Sequence, residues 1–315
     1  MTYLGAIDVG GTKTMVGIVD SNGKILSDRI FSTFTANFEI HFAECCIRLY
    51  ECLSERRIHV NHLKGLGVTM PGLVDAQTGF LLQAPFAGWY NVHVKDYFSR
   101  MLNYKSVIIE NDVNACAMGE LVFGHACDNY LWVTVSTGIG GALVIDRKLI
   151  YGSSSCAGEI GHVKVEYDHP AQCSCGQWGC AEAHGSGTAI TRMFSEKVQE
   201  SNALKELLDA KKWSADAKSC ALLAKEGNQT AIEVLNTAGM YIGRALSYAA
   251  NLFNPNKIYI GGGVSDSFDL LLPSIQDEFL RTTLKPCANV EIVKTALSYE
   301  AALIGAAAMA STIDD

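Results

Sequence analysis

The chain has 315 residues, 49% of them apolar, which is enough for two domains with substantial cores and excludes a disordered protein. With 25 basic against 33 acidic side chains the formal net charge is −8, and no long basic run occurs, which disfavours nucleic acid or an anionic membrane as the main partner. Asp8 interrupts the first apolar run with no basic segment before it, and the longest uncharged apolar-rich run, 131–145, is broken by glycines and too short for a membrane span. Eleven cysteines without a secretory signal lead to the expectation of a reducing, cytoplasmic setting, with metal binding rather than a disulfide framework.

The N-terminal stretch predicts a strand over Leu4–Val9, a turn at Gly10-Gly11, a partner strand over Thr14–Val19, and a second hairpin at Asn22-Gly23 leading into Lys24–Phe31. A glycine turn lets backbone N–H groups approach a phosphate closely. Asp8, Thr12 and Lys13 are the polar groups such a turn would offer a metal–nucleotide, although an ordinary hairpin with a charged turn reads the same way. The P-loop pattern is absent, because it needs a longer glycine loop before its Lys and Ser/Thr.

Phe42, Cys45, Cys46, Leu49 and Leu53 recur at helical spacing and predict a helix over Phe38–Arg57. Leu63–Thr69 reads as a strand ended by Met70-Pro71-Gly72. The stretch from Gly72 to Trp89 reads as a long binding loop, Val92–Met101 as a helix and Ser106–Ile109 as a short strand. Glu110-Asn111-Asp112 then precedes a helix over Val113–Phe123. Asp112 therefore falls at a strand end and a helix start, where the helix dipole favours its ionised form. That suits a general base and equally suits a helix N-cap.

From Asn129 the pattern strand, glycine turn (Thr137–Gly141), strand, acidic turn at Asp146 echoes the N-terminus and suggests an internal repeat, with two phosphate-cradling turns facing each other across a cleft. Next, Cys173, Cys175 and Cys180 form a CxCGxxGC arrangement with His162 upstream. Three thiolates and an imidazole are the donors a tetrahedral Zn²⁺ prefers, and Gly176 and Gly179 allow the tight turning that converges them. His169 and His184 are alternative nitrogen donors. A disulfide is disfavoured by the CxC geometry. Glu159 and Glu182 flank this cluster and could face a polar substrate.

Ala189–Val198, Asn202–Leu208 and Asp216–Glu226 read as helices of a structural layer with no chemistry assigned. Gln229–Leu252 reads as a long helix whose Ala238, Gly239, Gly243 and Ala245 allow close packing. A strand at Lys257–Ile260 runs into Gly261-Gly262-Gly263, a turn that can admit a nucleotide, and Ser265-Asp266 opens another helix. A strand at Val290–Val293 and a helix at Tyr299–Ala310 close the chain.

Taken together and in order, IDVGGTK (7–13), ENDVNA (110–115), STGIGG (136–141), GEIGH (158–162), CSCGQWGCAE (173–182) and GGGVS (261–265) resemble the ROK family (repressor, open reading frame, kinase) from end to end. The resemblance implies an α/β, actin-like, hexokinase-type (ribonuclease H-like) ATPase fold, with two domains closing on a central cleft. Residues 1–112 with 298–315 would form the smaller domain and 113–297 the larger, zinc-bearing one. It implies ATP- and Mg²⁺-dependent phosphorylation of a hexose hydroxyl, usually at C6. Asp112 matches the family's catalytic base, and Gly72, Asn111, Glu159, His162 and Glu182 its sugar-side positions. His162, Cys173, Cys175 and Cys180 match its structural zinc ligands. Asp8, Gly10, Gly11, Thr12, Lys13, Thr137, Gly138, Gly262 and Gly263 match its nucleotide side.

Three positions depart from the family pattern. Phe86-Ala87-Gly88-Trp89 lacks an Asn before Gly-Trp, Ser155 stands where Gly is frequent, and Ser136 replaces a glycine. The first two lie on the sugar side and weaken a default to glucose, leaving N-acetylmannosamine, N-acetylglucosamine and fructose as alternatives. A sugar-sensing repressor or a non-catalytic sugar sensor is the competing class. The acidic balance, and a first strand that begins at Leu4 with no room for a helix-turn-helix segment, disfavour the repressor. A homodimer or homotetramer is expected from the resemblance.

Overall fold

The computed structural model describes residues 2–124, 126–297 and 300–313. The chain divides into two compact units. One comprises 1–128, 146–157 and 296–315, the other 129–145 and 158–295.

The main sheet of the first unit has five strands in the order Ile25–Ser32, Lys13–Asp20, Tyr3–Val9, Leu63–Met70 and Val107–Asn111. The first three are antiparallel neighbours and the last two join in parallel. Side chains alternate across a strand, so Tyr3–Val9 feeds two cores. Ile7 and Val9 pack with Phe42, Cys45, Leu49 and Leu53 of helix Phe38–Arg56, whereas Leu4 and Ala6 pack with Leu303, Ala306 and Ala310 of helix Ala301–Ser311. A strand covered on both faces reads as a nearly continuous apolar run, which is why YLGAIDV lacks a polar alternation. Helix Asp112–Val122 also belongs to this unit and packs on Ala301–Ser311. The first residue of the predicted C-terminal helix, Tyr299, lies outside the described residues.

The stretch read as one long loop is instead a three-stranded antiparallel meander, Leu73–Asp75, Phe80–Ala84 and Trp89–Val92. Leu81, Ala84, Trp89 and Val92 are buried while Leu82, Gln83, Tyr90 and Asn91 are exposed. Asp75 shapes the first turn by accepting from the Gln77 and Thr78 amides. The strands are too short to announce themselves by periodicity. Val92 consequently ends a strand, and the following helix runs Val94–Leu102 rather than from Val92.

In the second unit, Ile139–Ile145 and Tyr130–Val135 form an antiparallel hairpin. Lys257–Gly261 pairs in parallel with Tyr130–Val135, and Glu291–Lys294 in parallel with Lys257–Gly261. A hairpin around a polar turn, extended by parallel strands, thus occurs in each unit. Leu131, Val133 and Val135 pack against Ile190 and Phe194 of helix Gly187–Glu200, Ile242 and Leu246 of helix Gln229–Phe253, and Ile275 and Phe279 of helix Phe268–Thr282. The last two helices meet closely at Gly243, where a Cβ would collide with the Ile275 carbonyl. Among the described residues no helix is long and apolar enough to cross a membrane.

Candidate active site and metal cluster

Parallel register aligns the carboxyl ends of the strands in the first unit. Asp8 lies opposite Thr69, Thr69 opposite Glu110, and Met70 opposite Asn111. The Thr69 hydroxyl donates to Asp8 Oδ1 at 3.1 Å. Burial pushes the Asp8 carboxyl up to about 7. The charge of Asp112 adds to that, and the Thr69 bond opposes it. Two carboxylates sharing a poorly solvated edge resist joint ionisation, and a divalent cation would relieve both.

Asp112 is the first residue of its helix, with the N-terminal dipole behind it. The capping role offered as its alternative belongs to Asn111, whose Oδ1 accepts from Val113 N at 2.9 Å and Asn114 N at 3.2 Å. Asn111 Nδ2 donates to the Gly72 carbonyl at 3.1 Å. Both polar ends of Asn111 are therefore engaged within the chain. Gly72 has φ +142°, and a Cβ there would collide with the Gln83 carbonyl, so only glycine fits. Sequence reasoning missed Glu110. This carboxylate, 1% exposed, accepts from Asn111 N, Asn114 Nδ2 and the Tyr151 hydroxyl. Its only sequence signal was an acidic residue in an otherwise apolar strand.

The Gly10–Lys13 turn is closed by Gly10 N–H donating to Lys13 O at 3.0 Å, and Thr33 N–H donates to Thr12 O at 2.9 Å. Among the described residues no backbone carbonyl takes the Gly11 or Thr12 N–H, and both residues are exposed. Exposed amides without a backbone acceptor, beside a lysine, are chemically suited to an anion.

In the second unit, Ser136 N–H donates to Gly138 O, and Glu182 Oε2 accepts from Ile139 N at 3.1 Å. The Glu182 carboxylate lies where a Gly138 side chain would be, which accounts for glycine there. Glu182 Oε1 accepts from Ser174 Oγ at 2.6 Å, so this residue joins the glycine turn to the cysteine loop. Beside the turn lies a cavity of about 780 Å³ lined by Thr137, Thr188, Asp216, Lys218, Lys225 and Gly263. Gly262, at φ +85°, turns the chain into it from strand Lys257–Gly261. The helix Ala217–Lys225, assigned no chemistry from sequence, thus lines this cavity. A helix without a motif gives no warning of what its polar face borders.

The donor atoms of His162, Cys173, Cys175 and Cys180 all lie within 4.8 Å of one another. His162 Nδ1 is 3.7 Å from Cys173 Sγ, while its Nε2 is 3.8 Å from Glu159 Oε2. The ring thus turns one nitrogen to the thiols and the other to a carboxylate, the arrangement that orients a metal-ligating imidazole. His184 is otherwise engaged, its Nε2 accepting from Ala171 N at 3.0 Å. Burial pushes the Cys173 thiol up to about 12, so its thiolate needs a nearby positive charge, and a bound cation would supply one. Lys164 Nζ lies 3.0 Å from Cys180 Sγ.

The described geometry is α/β, with a hairpin extended by parallel strands in the main sheet of each unit. The ROK family profile matches residues 4–313, and the chain belongs to that family, with its actin-like, hexokinase-type fold. It is 33% identical to a glucokinase of Halalkalibacterium halodurans over 96% of this chain and 93% of that one. It is 27% identical to the xylose repressor of Bacillus subtilis over 96% of this chain and 75% of the repressor. Among solved structures it resembles a ROK glucokinase from Streptomyces griseus in complex with glucose and AMPPNP, with a TM-score of 0.84, 29% identity and 99% of each chain covered.

Proposed function

We propose that this protein is an ATP-dependent sugar kinase that phosphorylates a hexose, with glucose the leading substrate and the C6 hydroxyl the acceptor. The carrying observation is the Asp112 carboxylate at a strand end and helix start, in electrostatic contact with Asp8. N-acetylmannosamine, N-acetylglucosamine and fructose are the substrate alternatives, since the departures at 86–89 and Ser155 fall on the sugar side.

Asp112 takes the hydroxyl proton as the sugar oxygen bonds to the γ-phosphorus, and the bond to the β-bridging oxygen breaks with its electrons leaving on ADP. Positioning and charge stabilisation dominate such a reaction. The Gly11 and Thr12 amides and Lys13 receive phosphate oxygens, joined by the Thr137-Gly138 turn. The 780 Å³ cavity, with Gly262 and Gly263 at its edge, takes the nucleoside. Asp8 would hold Mg²⁺, which offsets phosphate charge when bound. Gly72, Asn111, Glu159, His162 and Glu182 shape the sugar side. Carboxylates suit hydroxyls because they accept directed hydrogen bonds, and Asn111 acts by fixing Asp112 and the Gly72 turn.

His162, Cys173, Cys175 and Cys180 would hold a structural Zn²⁺, which braces the loop carrying Glu182. The donor set fits a closed tetrahedral site. A reducing cytoplasm is the setting proposed. Self-association into a dimer or tetramer is the assembly proposed.

A coupled ADP-release assay over a hexose panel tests the reading. Turnover of at least one hexose, falling about 10²–10⁴-fold in kcat in Asp112→Asn, is the expected result. Sugar binding without turnover would favour the sugar-sensing regulator, the reading to which the repressor relative points.

A further inference from the structure

His41 lies on helix Phe38–Arg56, 1% exposed, and belongs to none of the motifs above. Phe34 N–H donates to its Nδ1 at 3.3 Å. A nitrogen that accepts carries no proton, so the neutral ring holds its hydrogen on Nε2. Nε2 is 2.9 Å from Thr14 Oγ1, and Thr14 is fully buried. Thr14 Oγ1 is in turn 2.9 Å from Thr33 Oγ1, and the Thr33 hydroxyl donates to the Gly10 carbonyl at 2.7 Å.

The two ends of this chain fix every bond in it. A carbonyl only accepts, so the Thr33 proton goes to Gly10. Thr33 must then accept from Thr14, and Thr14 from His41 Nε2–H. The order is Phe34 N–H to His41, His41 to Thr14, Thr14 to Thr33, and Thr33 to Gly10 O. Each hydroxyl both donates and accepts, which strengthens its neighbours' bonds, most of all at the buried His41–Thr14 end. The last acceptor opens the Gly10–Lys13 turn, and Thr33 N–H also holds Thr12 O.

The far end rests on the meander. The Trp89 ring lies 5.7 Å from the His41 ring, and Trp89 Nε1–H donates to Thr35 O at 2.8 Å. Phe86 packs on Trp89 at 5.8 Å and lies 3.9 Å from where a Gly11 Cβ would stand.

We propose that His41 is a positioning residue for nucleotide binding, holding the Gly10–Lys13 turn through Thr14 and Thr33 in the form that leaves the exposed Gly11 and Thr12 amides without a backbone acceptor. The inference rests on the kinase reading. His41 touches no substrate and acts on affinity for the phosphates, while the sugar side keeps its own supports in Asn111 and Gly72.

The test uses calorimetric titration of Mg-AMPPNP and, separately, of glucose into native protein, His41→Phe, His41→Gln, Thr14→Val and Thr33→Val. Phe keeps the ring without a donor, whereas the Gln amide nitrogen can stand in for Nε2–H. The expected result is a loss of roughly tenfold in Mg-AMPPNP affinity in His41→Phe, Thr14→Val and Thr33→Val, with glucose affinity held and most of the loss recovered in His41→Gln. Losses in Thr14→Val and His41→Phe combined should be less than additive. Unchanged Mg-AMPPNP affinity in the variants overturns the inference. So does a parallel fall in both affinities with Gln no better than Phe, because that marks a loosened fold. If His41→Phe does not fold, the two Val variants decide alone. Native protein that binds Mg-AMPPNP but turns over no hexose defeats the kinase reading and leaves this test intact; native protein that binds no Mg-AMPPNP defeats both.

Discussion

The Asn111 side chain bonds the Gly72 carbonyl at 3.1 Å while its oxygen caps the helix that begins with Asp112. One amide therefore fixes both the strand end that carries the candidate base and the glycine turn that opens the meander. Removing it, in Asn111→Ala, deprives two helix amides and one carbonyl of partners. The expected cost is about 1–2 kcal/mol of stability, with a fall in kcat larger than any rise in KM for nucleotide. Urea denaturation beside steady-state kinetics measures both.

Asp112→Asn keeps the shape of the side chain and removes its basicity. A loss of about 10²–10⁴-fold in kcat is expected, with thermal stability near native or higher, because the charge facing Asp8 disappears. A variant with native kcat would show that the hydroxyl proton leaves by another route.

Metal content should be close to one zinc per chain by mass spectrometry on protein purified without added metal. Cys175→Ser should lower that content sharply and the thermal midpoint with it, since breaking one ligand opens a closed site. Zinc-free protein with an unchanged midpoint would remove the metal from the account.

Burial holds the His41 imidazole down at about 4, against a small opposing pull from Glu44. The sign follows from proton binding. Below the ordinary imidazole value of 6.5 the unfolded chain takes up a proton that the folded chain refuses until about pH 4. Stability present above pH 6.5 is therefore lost as pH falls from 6.5 to 4, by about 3 kcal/mol in total. His41→Gln should flatten this part of the profile. Urea midpoints at pH 7, 5.5 and 4.5 for both proteins give the difference.

Ser155 stands at φ +58°, the left-handed region that glycine adopts without strain. Ser155→Gly should raise stability by about 1 kcal/mol, read as a higher thermal midpoint. A lower midpoint would mean that the serine side chain makes a compensating bond.

Much of the architecture was legible in the sequence because its signals are local. Apolar runs closed by Gly10-Gly11 and by Thr137–Gly141 state two hairpins, and helical spacing states Phe38–Arg56 and Gln229–Phe253. Three cysteines within eight residues allow few geometries other than convergence. The meander at 73–92 was not legible. Its strands of three to five residues are defined by their partners rather than by their own periodicity.

The sequence by itself determined which chemical groups exist and in what order: the carboxylates, glycine turns and thiols that local spacing brings close. Only the tertiary structure decided which of them meet. It gave the helix cap to Asn111 instead of Asp112, set His162 rather than His184 against the thiols, and bordered the 780 Å³ cavity with a helix that carries no motif. It also joined His41 to Gly10 across 31 positions through two threonines. The reason is physical. Covalent spacing limits only near neighbours, whereas a buried polar atom must find a partner wherever packing supplies one, and that choice depends on the whole fold.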